Sequence, residues 1–374
     1  MSFTIFDRFS RSVLCISRCT RSEKLRPIGK VGAVAMTTLL LHACATLSLP
    51  PLIDEAHAPP PQRFRFADGG EAMFYVLDKD LALLAGPEEQ SERSIRVDPA
   101  DKRIDTFVFF ISGSGCSSLR YFLPRYFDGL EGESGPIRVF MLQKRFIDER
   151  SWGRAFGCGH DFTRADHPDI WLADQYDFIT AHVDAATTRH RRPVRIVVAG
   201  VSEGAEIAPL LARMVTGATH VVLLGNGGMP PMHAYRLQLA RRGMRMPAEL
   251  DALMAPRVAL RAGLADPDPS TIIAGHTWQY WAELARLDPG RDLLALAIPV
   301  WVAMGEADDA VPIASALYLE QTFASHQRTN LFLKIYAGAD HALSTNSRTN
   351  TADFWLSFDR SMAKSQLLAV PTLP

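Results

Sequence analysis

Apolar residues along this chain fall into short runs of strand length, separated by longer stretches whose apolar positions recur three and four residues apart. Arg63–Phe66 and Ala72–Leu77 flank Asp68-Gly69-Gly70, a turn signal, and predict a hairpin-like pair. Thr106–Ser112, Ile137–Leu142, Val194–Ala199, His220–Leu224, Pro299–Met304 and Leu331–Tyr336 are almost continuously apolar. All six read as strands, and Thr106–Ser112, Ile137–Leu142 and Val194–Ala199 as strands covered on both faces. Helical spacing occupies the intervals: Ile170 to about Thr188, Glu203 to about Val215, then 313–325 and 351–364. Strands alternating with helices predict an α/β fold, a mostly parallel twisted sheet with helices on both faces. Residues 229–296 break the alternation with Met- and Arg-rich helical segments, and predict a helical cap inserted between two sheet strands. Within it Trp278, Tyr280, Trp281, Met229 and Met232 could line an apolar pocket or pack in the core.

The first 43 residues differ from the rest. Seven Lys/Arg stand there against Asp7 and Glu23, followed by the apolar run Val31–Leu41 and the small residue Ala43. A basic start, a short apolar segment and a small-residue end describe a secretory signal peptide. The run is shorter than the ~20 apolar residues a membrane-spanning helix needs. Cys44, just after Ala43, also resembles the lipidated cysteine of a bacterial lipoprotein signal, although His42 departs from that motif. An ordinary cleaved signal, a retained N-terminal anchor and a lipidated Cys44 that tethers the protein to a membrane all stay open. Each implies export, to the periplasm or to a membrane surface. Residues 44–61, ending Pro59-Pro60-Pro61, read as a tether before a domain over 62–374.

Removing the leader changes the picture of charge. The whole chain has a net charge of −1, but the body beyond residue 43 holds 33 Lys/Arg against 39 Asp/Glu, a net of −6. A mildly acidic body is not expected to track a polyanion, so nucleic acid is not an expected partner. With Cys15, Cys19 and Cys44 in or at the end of the leader, Cys116 and Cys158 are the two cysteines left in the domain. An even pair suits one disulfide in an oxidising compartment, and two independent buried thiols are the alternative.

Candidate chemistry centres on Gly200-Val201-Ser202-Glu203-Gly204. A G-x-S-x-G pentapeptide is short enough to arise by chance, so its setting carries the weight. Here it follows an apolar strand and opens an Ala- and Leu-rich helix, the strand–turn–helix a nucleophile elbow requires. In this respect the chain resembles the α/β-hydrolase superfamily, from about residue 62 to 364. The resemblance implies Ser202 as nucleophile, with the Glu203 amide as one oxyanion donor. It implies an acid and then a histidine later in the chain. Gly305–Pro312 resembles the superfamily's G-x-x-D-x-x-V-P turn, which makes Asp308 the acid and Asp309 the reserve. His341, in the loop after Leu331–Tyr336, is then the base, and Asp340 is read as a loop carboxylate. Ser112-Gly113-Ser114-Gly115 stands where related enzymes keep a His-Gly-rich loop, so Ser114 is expected to give the second oxyanion amide.

The expected activity is hydrolysis of carboxylic esters of small-molecule substrates through an acyl-enzyme, without a cofactor. Tyr280–Pro312 also resembles prolyl-oligopeptidase-like members that cleave peptides, and thioesterases. No propeller-like segment is legible, which favours esters. A non-catalytic surface lipoprotein using the fold as a binding scaffold is the rival of another class. His160–His167 is rich in His and Asp, but its spacing matches no metal site.

Overall fold

The computed structural model describes residues 53–55, 57–80, 105–153, 157–188, 193, 195–254, 267–346 and 348–369. The leader, with Cys44, lies outside the described residues. β1 (Gln62–Arg65) and β2 (Glu71–Lys79) form the expected hairpin at one edge of an eight-stranded sheet. β3 (Thr106–Ile111), β4 (Ile137–Leu142), β5 (Arg195–Val201), β6 (His220–Leu224), β9 (Val300–Gly305) and β10 (Leu331–Tyr336) complete it. The order is β1-β2-β4-β3-β5-β6-β9-β10. Only the β1–β2 and β2–β4 pairs are antiparallel; every other pair in this sheet is parallel.

Continuous apolar runs were needed where both faces are covered; β10, at the outer edge of the sheet, is half-buried and leaves Phe332 and Ile335 exposed. Along each central strand, alternate residues go to opposite sides. Val108, Phe110, Val197, Ala199 and Val222 meet Phe127, Trp355 and Phe358 on one face. Phe107, Phe109 and Ile196 meet Phe178, Ile179 and Val183 on the other, continued by Val198, Val221 and Leu223 against Ile207 and Leu211. The covering helices are α1 (His160–Ala165), α2 (Pro168–Thr188), α3 (Gly204–Met214), α8 (Ala314–Ser325) and α9 (Thr351–Ala369). No helix among the described residues is long and apolar enough to cross a membrane.

Between β6 and β9 the chain runs through α4 (Pro231–Arg241), α5 (Ala248–Ala252), α6 (Trp278–Leu284) and α7 (Pro289–Leu294). This excursion also holds a strand pair that apolar periodicity did not announce, β7 (Ile272–Ile273) with β8 (His276–Thr277). Two-residue strands are too short to show an alternation. Met232, Trp278, Tyr280 and Trp281 are all buried in the same apolar cluster as α3, so these four side chains are core rather than pocket wall. The end of the proline-rich stretch is packed as well: Pro59 is buried, and Glu55 pairs with Arg120 at 2.6 Å.

Two polar groups are committed to the fold. Asp359 of α9 is fully buried, and its carboxylate accepts the backbone N–H groups of Glu131, Gly132, Glu133 and Ser134 at 2.8–3.1 Å. His220, at the start of β6, is mostly buried beside Phe358; burial, and then the nearby charge of Arg195, pushes its pKa down to about 4.

Replacing Asp359 by Asn should cost about 3 kcal/mol, because four amides then face a weaker, partly mismatched acceptor. A urea midpoint equal to that of the parent would contradict this. For His220, the folded pKa lies below the unfolded value near 6.5, so the unfolded chain takes the proton first. Stability is therefore complete above about pH 6.5 and declines as pH falls toward 4, by on the order of 3 kcal/mol. His220→Gln should flatten that decline in urea titrations at pH 7 and 4.5.

Candidate active site

β5 ends at Val201 and α3 begins at Gly204, leaving two residues to reverse the backbone. Ser202 sits at that corner with φ = 54°, a left-handed conformation that costs a non-glycine residue on the order of 1–3 kcal/mol. Surrounding contacts hold it there. The Ser202 N–H donates to Leu224 O at 2.7 Å, and Asn226 Nδ2 donates to Ser202 O at 3.2 Å. The flanking glycines are required by close approach. A Cβ on Gly204 would come within 2.4 Å of Ile111 O, and one on Gly200 within 2.4 Å of Gly204 O.

The sheet then brings three loop ends together. His341 Nε2 lies 3.0 Å from Ser202 Oγ, and His341 Nδ1 lies 2.8 Å from Asp308 Oδ2. Asp308 is fully buried, and its other oxygen accepts the N–H groups of Ala310 and Val311, both at 2.8 Å. With both oxygens occupied, the carboxylate is fixed and holds the imidazole ring in turn. Asp309 is exposed, and Asp340 accepts the local amides of Ala342 and Ser344 at 3.0 and 2.9 Å. A serine hydroxyl facing an imidazole that is oriented by a carboxylate is the arrangement in which the imidazole can take the hydroxyl proton.

The loop after β3 lies beside the serine. A Cβ on Gly113 would stand 3.1 Å from Ser202 Cβ; Ser114 follows it and is exposed. Cys116 and Cys158 are joined in a disulfide, with Cα atoms 5.7 Å apart. Around it, Cys116 N–H donates to Gly153 O at 3.2 Å and Ser118 N–H to Ser151 O at 2.8 Å. The β3 loop is thus stitched to the 151–158 segment.

Behind the elbow is a buried polar cluster. Lys144, after β4, donates to Asp166 Oδ1 at 2.8 Å and to Glu203 Oε2 at 2.5 Å. Tyr280 of α6 donates its hydroxyl to Glu203 Oε1 at 2.6 Å, and His276 stacks on the Tyr280 ring at 3.9 Å. Burial alone would raise the Glu203 carboxyl; Lys144 first, then His276 and the two hydrogen bonds, outweigh it and hold the group below the usual range. Asp166 goes the other way, raised by its burial, which Lys144 only partly offsets. From the His160–His167 stretch, Asp166 thus joins this cluster, and His167 Nδ1 bonds Glu283 of α6 at 2.7 Å.

Neither Lys144 nor Asn226 was found from the sequence. Each follows the C-terminal end of an apolar strand, β4 and β6, on the edge of the sheet where Ser202 lies. A polar residue at that place was the available signal. The cap also reaches the Asp308 loop: Arg241 at the end of α4 donates to Asp308 O at 3.0 Å.

Strand order, parallel core, elbow and helical excursion together define the α/β-hydrolase fold. No protein-family model and no curated sequence matches the chain. Among solved structures it is similar to Est1E from Butyrivibrio proteoclasticus, at 15% identity and a TM-score of 0.48, over 82% of this chain and 98% of that one. An alpha/beta hydrolase fold protein from Chitinophaga pinensis gives 15% identity and a TM-score of 0.46, over 84% and 98%. The Pyrococcus horikoshii acylaminoacyl peptidase gives 9% and 0.45, over 81% of this chain and 41% of the peptidase.

Replacing Cys116 and Cys158 together by Ala should lower stability by about 2–4 kcal/mol, because the bridge closes a loop with a sequence separation of 42. Denaturant titration measures it, and an unchanged midpoint would count against a constraining role.

Proposed function

We propose that this protein is a serine hydrolase that cleaves carboxylic esters through an acyl-enzyme. The observation that carries the reading is the unbroken hydrogen-bonded chain from Ser202 through His341 to Asp308. In the proposed reaction Ser202 Oγ attacks the acyl carbon while His341 Nε2 accepts its proton. The C–O bond to the alcohol then breaks, and the alcohol leaves with that proton. Water, deprotonated by His341, releases the acid and restores the serine. Asp308 keeps the Nδ1–H of His341 directed at itself, and so leaves Nε2 free to accept. The amides of Glu203 and Ser114 are the proposed donors to the oxyanion, and the N-terminus of α3 adds its dipole beneath.

A fixed pair of donors beside the serine serves an acyl carbon of any leaving group, so ester specificity rests on the sequence resemblance rather than on the triad. The buried disulfide and the signal-like leader support export to an oxidising compartment.

A fluorophosphonate probe should label the protein, and Ser202→Ala should abolish labelling. Asp308→Asn should lower kcat on a short nitrophenyl ester by about 10⁴, since the imidazole then loses its tautomer control. Folded protein that neither labels nor turns over the ester would sink the catalytic reading. Labelling in intact producing cells followed by fractionation tests export, and label confined to the cytoplasm would overturn that part.

A further inference from the structure

Glu203 follows the nucleophile directly, and a buried carboxylate there is chemically costly for the proposed reaction. Negative charge develops on the substrate oxygen a few ångströms away, and a low-dielectric interior magnifies like-charge repulsion. The structure compensates from two sides. Lys144 reaches Glu203 Oε2 from the sheet at 2.5 Å, and Tyr280 reaches Oε1 from the cap at 2.6 Å. Both groups are buried, so the bonds are shielded from water. One residue's carboxylate thus joins three elements: the end of β4, the start of α3 and the cap helix α6.

We infer that Tyr280 is a positioning residue for the reaction: through the Glu203 side chain it fixes, from the cap side, the backbone amide that receives the oxyanion. The inference rests on the serine hydrolase reading. The Glu203 amide belongs to the same residue whose carboxylate Tyr280 grips, and it lies at the mouth of α3. Holding that side chain at both oxygens restricts rotation about the bonds leading back to the amide. Removing the Tyr280 hydroxyl frees Oε1 and leaves the carboxylate held by Lys144 alone, from the sheet side. Both changes act most strongly when the oxyanion forms, and neither concerns substrate binding in the ground state.

A purely structural reading of the same bond is that it anchors the cap. The cap, however, has other attachments in the same region. Glu283 of α6 accepts from the Asp169 amide at 2.8 Å and bonds His167 at 2.7 Å, while Arg286, just after α6, donates to Asp169 Oδ2 at 2.8 Å. α6 therefore keeps its seat when the Tyr280 hydroxyl alone is lost. The ring of Tyr280 stays packed against His276 and Trp171, and Phe fills the same volume.

The test uses the full chain and its Tyr280→Phe variant, with a short nitrophenyl ester and with phenylboronic acid, which forms a tetrahedral adduct on a reactive serine. Fluorophosphonate labelling run to completion counts competent Ser202 in each preparation. Tyr280→Phe should keep its labelled fraction, lower kcat about tenfold, change KM less than twofold, and weaken phenylboronic acid by the same factor as kcat. Glu203→Gln, which can still hydrogen-bond Tyr280, should retain more of kcat than Glu203→Leu. A labelled parent with unchanged kcat and boronate affinity in Tyr280→Phe would overturn this inference alone. So would a loss explained wholly by a smaller labelled fraction, which marks fewer folded sites. A folded parent that neither labels nor turns over the ester would instead remove the hydrolase reading on which the inference stands.

Discussion

Ser202 occupies a backbone conformation that an L-residue avoids, and it can do so because nothing around the turn has room for more. The carbonyls of Ile111 and Ser112 press against Gly204, and Gly204 in turn presses against Gly200. The serine is thereby lifted above the end of β5 at the start of a helix. Every other element of the site is arranged with respect to that corner. β3 must lie close enough to touch Gly204, and β6 close enough to accept the Ser202 amide at Leu224. Their parallel registry on either side of β5 supplies both distances. A side chain at either glycine would have to separate strands that the core packs together. The strain at Ser202 is offset by the packing of both sheet faces.

The loops that carry Asp308 and His341 inherit their positions from the same sheet. β9 and β10 run parallel to β5, so Asp308 and His341 emerge at the same end of the sheet as Ser202. Fine adjustment then comes from small numbers of hydrogen bonds. Two loop amides hold Asp308, Asp308 holds the imidazole of His341, and Arg241 holds the Asp308 loop by its backbone. On the opposite side, Glu203 draws the end of β4 and the cap onto the elbow. The cap is thus more than a cover in this molecule. It makes polar contact with the residue after the proposed nucleophile and with the loop of the proposed acid.

Much of this was legible in the amino-acid order because the relevant signals are local. An apolar run of six residues, such as Thr106–Ile111 or Ile137–Leu142, can only be satisfied by burial on both faces. A Gly-x-Ser-x-Gly between such a run and a helical pattern is a complete local description of the elbow. Asp308 and His341 each sit in a loop directly after an apolar strand, where the resemblance to the superfamily's motif order nominated them. An even pair of domain cysteines, Cys116 and Cys158, suggested one bridge, and the structure joins them.

What lay beyond the sequence were the contacts between segments far apart along it. Lys144, Asp166, Glu203 and Tyr280 share no spacing and no motif, since 136 positions in the chain separate the first from the last. They form one cluster only because β4, the start of α2 and the cap all converge behind the elbow. Trp278 and Trp281 could not be assigned to pocket or core from periodicity, because an apolar face gives no hint of what covers it. The sequence by itself determined the alternation of strand and helix and the elbow, which are set by steric and burial rules acting over a few residues; the order of the elbow's proposed partners came from the superfamily resemblance. Only the tertiary structure decided that Asp308 rather than Asp309 meets His341, and that Glu203 is clasped between sheet and cap. Those outcomes depend on distances across the sheet, which no local rule contains.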